Sequence, residues 1–270
     1  MIVPAVVVGL CLVMAAAWAW QRRTGNIGWV DVFWTFGTAA AGIILAVAWT
    51  GGAGSAARRL LVCAIAAIWA IRLGLYVAWR VARSPEDGRY QALRRDWAAH
   101  LQPRLFGFLQ IQALVSVALA AAMGLAANRP GPALRLQDLI GVLIAAVAIG
   151  GEAIADRQLK RFADDPTNRG KVCDLGLWAW SRHPNYFFEW LGWFAYPAVA
   201  IDLGGAYPQG WWALTAPLLM FGVLRFGTGA PPLEAHMLRT RGDAFRAYQA
   251  RVPAFILRPP RSKKASHEPR

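Results

Sequence analysis

Charge is scarce in this chain, and so are cysteine and histidine. Only 16% of the residues are Asp, Glu, Lys or Arg, against about 25% in an ordinary soluble domain. There are 3 cysteines, Cys11, Cys63 and Cys173. One is left over from any pairing and two sit in apolar runs, which argues against a disulfide framework. The 4 His have no HxxxH spacing and no CxxC accompanies them, so no metal site is expected. No P-loop or GxGxxG is present, which leaves Rossmann-type binding unsupported. Internal repeats, low-complexity tracts and barrel-like alternation are also missing. These absences exclude an ordinary soluble enzyme, a disordered protein and a secreted disulfide scaffold.

What the chain has is apolar length. Of 270 residues, 57% are hydrophobic and 14 are Trp. Seven apolar segments can be read, at 2–20, 27–48, 60–81, 105–127, 136–154, 186–201 and 211–226. Most approach the ~20 residues that cross a bilayer as a helix. The segment at 186–201 is short and carries Glu189. The expected fold is therefore all-α and polytopic, with about seven transmembrane helices. Residues 1–260 form one membrane domain, and 261–270 are a basic disordered tail. An apolar small molecule entering from lipid, and membrane lipid itself, are the expected partners. Nucleic acid is not, and a monomer is expected.

The net charge is +14, and its distribution predicts orientation. Arg22 and Arg23 follow the first segment and no basic stretch precedes it. That favours a retained helix over a signal peptide. With Arg225 counted in the tail, 23 of the 29 Lys and Arg fall on the side of the carboxyl terminus. The positive-inside rule then places the N-terminus outside and the C-terminus in the cytoplasm, in the inner membrane if the source is bacterial.

The segment 156–189 is too long and too charged for a simple connector. It contains Asp156, Asn168, Arg169, Lys171, Asp174, Arg182, His183, Asn185, Tyr186 and Glu189. A cytoplasmic loop rich in positive charge is the plain reading. The arrangement suggests more. Pro184 suits the first position of a helix, with His183 as its cap. Helix N-termini accept anions, and an Arg fork matches phosphate or carboxylate. Asn185 and Glu189 are four apart and share one helical face. The expected ligand is anionic and nucleotide-sized, its phosphates meeting Arg169, Lys171 and Arg182. Asn185 and Glu189 would hold its head deeper in the bundle. Asp174 either joins this site or caps the turn before Gly176.

Residues 233–251 read as an amphipathic helix on the cytoplasmic face. It either docks on lipid or closes the site from below with Glu234, Arg239 and Tyr248. Within the spans, Asp31 and Arg72 need partners, because a charge there costs about 2.5–3.5 kcal/mol. An Asp31–Arg72 pair would offset part of that cost. Such a pair is either structural or, with Tyr76, polarises a substrate carbonyl.

Four strings carry a resemblance: SRHPNYFFEW, PPLEAHMLRTRGDAFRAYQARVPAFI, GNIGWVDVFW and PEDGRYQALR. Together they resemble the DUF1295 family, which belongs with the steroid 5-alpha-reductase superfamily. The resemblance implies a polytopic NADPH-dependent oxidoreductase of lipid metabolism, transferring hydride to the C=C bond of an enone in a steroid- or isoprenoid-like substrate. Related isoprenylcysteine and phospholipid methyltransferases have a similar Arg-His-Pro segment and use S-adenosylmethionine. By this resemblance Asp156, Asn185, Glu189 and Arg225 match cofactor-holding positions. Asp31 falls near the catalytic acid. Trp69 stands where a catalytic Tyr is expected, and Tyr76 lies two turns further on.

The charge count makes a direct prediction. Reporter fusions at the two ends should give opposite readings, external at the N-terminus and cytoplasmic at the C-terminus. Both ends on one side would overturn the seven-span arrangement.

Overall fold

A computed structural model describes residues 2–49, 54–131 and 134–259. The basic tail at 261–270 lies outside the described residues. Within them the chain is helical, without a β-strand. The first three long helices are α1 (Ile2–Thr24), α2 (Trp29–Ala48) and α3 (Ala56–Arg83). A short α4 (Gly88–Trp97) precedes α5 (Leu101–Ala127) and α6 (Leu136–Asp164). Then come α7 (Pro184–Gly192), α8 (Ala195–Ala200), α9 (Thr215–Arg225) and α10 (Ala230–Arg251).

The bundle is an all-α polytopic membrane protein. Leu12, Val47, Leu60, Leu143 and Leu218 point outward, as side chains in contact with lipid tails must. The interior holds many small and some polar residues, which let helix backbones approach. Gly42 on α2 shows this limit, since a Cβ added there would meet the Met123 sulfur of α5 at 1.9 Å. Helix α2 lies between two apolar cores. One is built with α1 and α5, the other with α3, α5, α6 and α8.

Six helical stretches are long and apolar enough to cross a membrane. The segment expected at 186–201 is different, being two short helices, α7 and α8, broken at Trp193 and Phe194. They run antiparallel to α6. At one end Gln137 donates to the Ile201 carbonyl at 2.7 Å. At the other Asn185 approaches Asp156 at 3.4 Å. Positions 137 and 156 are about 28 Å apart along a helix, close to the ~30 Å thickness of a hydrocarbon core. The segment at 211–226 is also shorter than expected as α-helix, because it begins as a 3-10 stretch, Pro208–Leu214. Helix α6, in contrast, continues past 154 to Asp164. Asp156 is therefore a helical residue one turn beyond Glu152 and not the start of a loop.

The face carrying the ends of α8 and α5 is locked by a charge clamp. Arg129 donates to both oxygens of Asp138, at 3.0 and 2.8 Å. Arg58 reaches the same carboxylate at 3.3 Å and the Arg129 carbonyl at 2.6 Å. Arg129 also donates to the Val199 carbonyl at 2.7 Å. One acid thus ties α3, α5, α6 and α8 together, and all three charged side chains are at most 1% exposed. Removing one partner of such a buried group typically costs about 3–5 kcal/mol. Asp138→Ala should lower the melting temperature of the detergent-purified protein sharply. An unchanged melting temperature would show that the clamp contributes nothing.

Candidate functional site

The opposite face, called here the mouth, gathers the remaining buried charge. Arg72 projects from α3 toward α6. Its Nη2 lies 2.5 Å from Asp156, and its Nη1 lies 2.8 Å from Glu152 but off the line of a hydrogen bond. Glu152 and Asp156 are four apart and share one face of α6. Asn185, in the first turn of α7, donates to Asp156 at 3.4 Å. One turn further, Glu189 accepts from two indoles, Trp69 at 2.8 Å and Trp193 at 3.0 Å. Trp69 precedes Arg72 by three residues, so α3 presents both on one side. Gly151 allows this approach of α6 to α7, because a Cβ there would lie 2.3 Å from the Phe188 ring.

The expected Asp31–Arg72 pair is absent. Asp31 instead takes Arg89 at 2.9 Å and the Tyr90 hydroxyl at 2.6 Å. The cause is geometric: Asp31 lies in the first turn of α2 at the mouth, beside the first turn of α4 that carries Arg89, while Arg72 faces α6. Tyr76 does stay with Arg72, whose guanidinium lies 5.6 Å from its ring centre, with Arg80 at 5.9 Å. The early string GNIGWVD and the later PEDGRY therefore meet at the mouth. Glu86 accepts from the Ile27 backbone at 2.8 Å. Asp87 caps α4 through the Arg89 backbone at 2.9 Å. Burial alone would raise the Asp87 pKa, but the charges of Arg89 and Arg80 and the hydrogen bonds from Arg89 hold it below the usual range.

The turn before α7 is fixed from behind. Pro184 occupies the first helical turn and His183 the cap position, as expected, although the His183 side chain makes no cap bond. Arg182 is not free for phosphate. Its guanidinium binds Glu234 at 2.8 and 3.2 Å and the Val252 carbonyl at 2.6 Å. The segment after α10 adds a further bond, from the Arg182 backbone to the Pro253 carbonyl at 2.9 Å. Tyr248 is structural too, its hydroxyl donating to the Trp178 carbonyl at 2.6 Å. The helix α10 is thus pinned to the turn, with a kink at Gly242, where φ is +50°.

His183 is the most constrained side chain of this turn. It is 3% exposed and stacks on Tyr186 at 5.3 Å. Its Nε2 faces Glu234 at 2.9 Å. The carboxylate is an acceptor, so Nε2 carries the proton and Nδ1 is left with its lone pair. That Nδ1 is buried and has no partner among the described residues. Burial lowers the His183 pKa against the opposing pull of Glu234.

A family described as a protein of unknown function, DUF1295, matches residues 17–252. The chain belongs to the DUF1295 family. No curated protein and no solved structure matches it.

In this DUF1295 chain the residues expected to hold a cofactor divide into three groups. Asp156, Asn185, Tyr186, Glu189, His183 and Glu234 converge at the mouth or just inside it. Arg225 is half-buried and close enough to act electrostatically on His183. The others stand apart. Asn168 bonds the Phe162 carbonyl at 3.2 Å, Asp174 pairs with Arg251 at 3.1 Å, and Arg169, Lys171 and Arg239 are exposed. Sequence reading missed Glu152, although its spacing from Asp156 was available. It also missed Trp193 as a partner of Glu189.

The His183 shift gives a pH dependence for the DUF1295 chain. The folded state binds this proton less readily than the unfolded chain does. Stability is therefore retained at neutral pH and falls as pH drops below about 6.5, the unfolded value. His183→Gln should flatten the fall in melting temperature between neutral and mildly acidic buffer. An unaltered slope would remove His183 as its source.

Proposed function

We propose that this protein is a membrane-embedded NADPH-dependent reductase that adds hydride to the C=C bond of an enone in an apolar substrate. The observation that carries this reading is the polar path running from His183 and Asn185 through Asp156 and Arg72 to Glu189. It leads from the mouth into an interior walled by indoles. Ionisable groups inside a membrane are expensive and mark ligand or substrate routes.

The residues present fit a nicotinamide dinucleotide. Asn185, Asp156 and Glu189 would hold its polar head by hydrogen bonds. The unpaired His183 Nδ1 offers an acceptor to a hydroxyl or amide donor. Arg80 beside Tyr76, and Arg225 near His183, are the cations best located for phosphates, in place of Arg182, which Glu234 holds. The bound cofactor would supply the hydride. The chain would orient it, exclude water, and bring an apolar substrate from lipid to its reactive end.

A methyltransferase using S-adenosylmethionine is the second reading. It is favoured by the surplus of carboxylate over guanidinium around Arg72: Glu152, Asp156 and Glu189 against one Arg suit a sulfonium cation.

Calorimetry on detergent-purified protein separates the two. NADPH should bind, and NADH more weakly, because the extra phosphate has cations to meet. Glu189→Gln should weaken NADPH binding by roughly ten- to a hundredfold, the worth of a hydrogen bond to a charged group. Binding of S-adenosylmethionine with no response to NADPH would replace the reductase reading. Unchanged NADPH affinity with a lower melting temperature without cofactor would leave Glu189 as a packing residue only.

A further inference from the structure

Helices α3 and α6 run side by side in the same direction. Arg58 meets Asp138 near the start of each, Arg72 meets Asp156 further on, and Trp79 meets Lys160 at the mouth end. Their backbones approach at few points, so these side-chain contacts mark a seam between them. The last contact is unlike the others. Lys160 Nζ lies 4.9 Å from the centre of the Trp79 ring, and the Arg83 guanidinium, one turn beyond Trp79, lies 5.5 Å from the same centre. Two cations from two helices thus share one indole. Asp164, one turn along α6, pairs with Lys160. Arg83, and Arg157 on the adjacent exposed side of α6, make no ion pair with any described residue.

This cluster sits at headgroup depth. Lys160 lies about 35 Å along α6 from position 137. That is beyond the ~30 Å hydrocarbon core and within the ~40–45 Å that includes the headgroups. Trp is common at that level, and a single Lys or Arg there reaches for water. Neither habit brings two like charges onto one ring, at most about 10 Å apart. Toward the bilayer centre, Ile68 and Leu75 of α3 and Val147 and Ile154 of α6 are exposed. Gly150, between the last two, has open space where a Cβ would stand.

We infer that the mouth end of this seam binds an anionic phospholipid, its phosphate between Arg83 and Lys160, its glycerol region on Trp79 and its acyl chains along α3 and α6. Charge and depth select this occupant. Cations outnumber the one carboxylate, Asp164, which favours a headgroup of net negative charge. A choline headgroup would bring a third cation to a ring that already carries two. The exposed apolar side chains just inward give acyl chains a surface that a free phosphate has no means to use. The site is separate from the path through His183, Asn185 and Glu189, so it stands whatever reaction that path performs. A lipid held there joins α3 to α6 beyond the Arg72 contacts.

The test is native mass spectrometry of the full chain in detergent, with phosphatidylglycerol and phosphatidylcholine of matched acyl chains as probes. Phosphatidylglycerol should be retained roughly tenfold more strongly, the effect of two cations beside one headgroup phosphate. Arg83→Gln combined with Lys160→Gln should bring the ratio close to one. Arg95→Gln combined with Arg246→Gln removes the same charge from exposed positions on α4 and α10 and should leave the ratio unchanged. An equal loss in both double variants would show diffuse attraction to a basic surface and overturn the site. So would equal retention of the two lipids by the unaltered protein. Displacement of phosphatidylglycerol by an equal concentration of glycerol 3-phosphate would overturn the lipid assignment in favour of a soluble phosphate. If the variant lacking Arg83 and Lys160 does not fold, Trp79→Leu keeps both cations and should still lower the ratio several-fold. An unchanged ratio in that variant would overturn the shared-ring site.

Discussion

The contact between Arg72 and the two acids of α6 is the constraint on which the mouth half of the molecule depends. A guanidinium in the third span cannot face lipid without a large penalty. Glu152 and Asp156 answer it from one face of α6. Once α3 and α6 are joined, Asp156 receives Asn185, and Trp69, one turn from Arg72, reaches Glu189. Helix α7 is then held to both neighbours by polar bonds. The apolar contact of Gly151 with Phe188 fills the space between.

Two clusters of buried charge bracket the bundle, and they differ in kind. At the far face Arg58, Arg129 and Asp138 bond one another and backbone carbonyls, although the Arg129 Nε has no partner among the described residues. At the mouth, acids outnumber the cation they surround, and the His183 Nδ1 has no partner among the described residues. The first cluster suits a fastener. The second suits a place where something else completes the polar inventory.

Much of this was legible in the sequence. Apolar runs and their lengths marked the helices, and Pro184 marked the start of α7. The four-residue spacing of Asn185 and Glu189 placed both on the inner face. The partners of charged residues were not legible, because helix neighbours are set by tertiary packing. The sequence suggests Asp31 with Arg72 because both lie within apolar spans, yet Asp31 meets Arg89 in the first turn of α4, 58 positions away. Arg182 looked free because Glu234 lies 52 residues further on. The break in α7–α8 is only faintly marked: 186–201 reads as one apolar run, although Gly192 precedes the Trp193–Phe194 turn and Pro197 has no N–H for the Trp193 carbonyl.

The attachment of α10 to the turn before α7 has a consequence for how the protein is made. Glu234 and the carbonyl of Val252 secure Arg182 and His183, yet they are among the last described residues of the chain. During synthesis every earlier helix can enter the membrane while the His183 turn still lacks its support. The mouth is therefore completed only after residue 252 has been made. A chain cut short before 252 would insert and pack its spans but leave this turn unfastened, so the integrity of the site reports on whether synthesis has passed Val252.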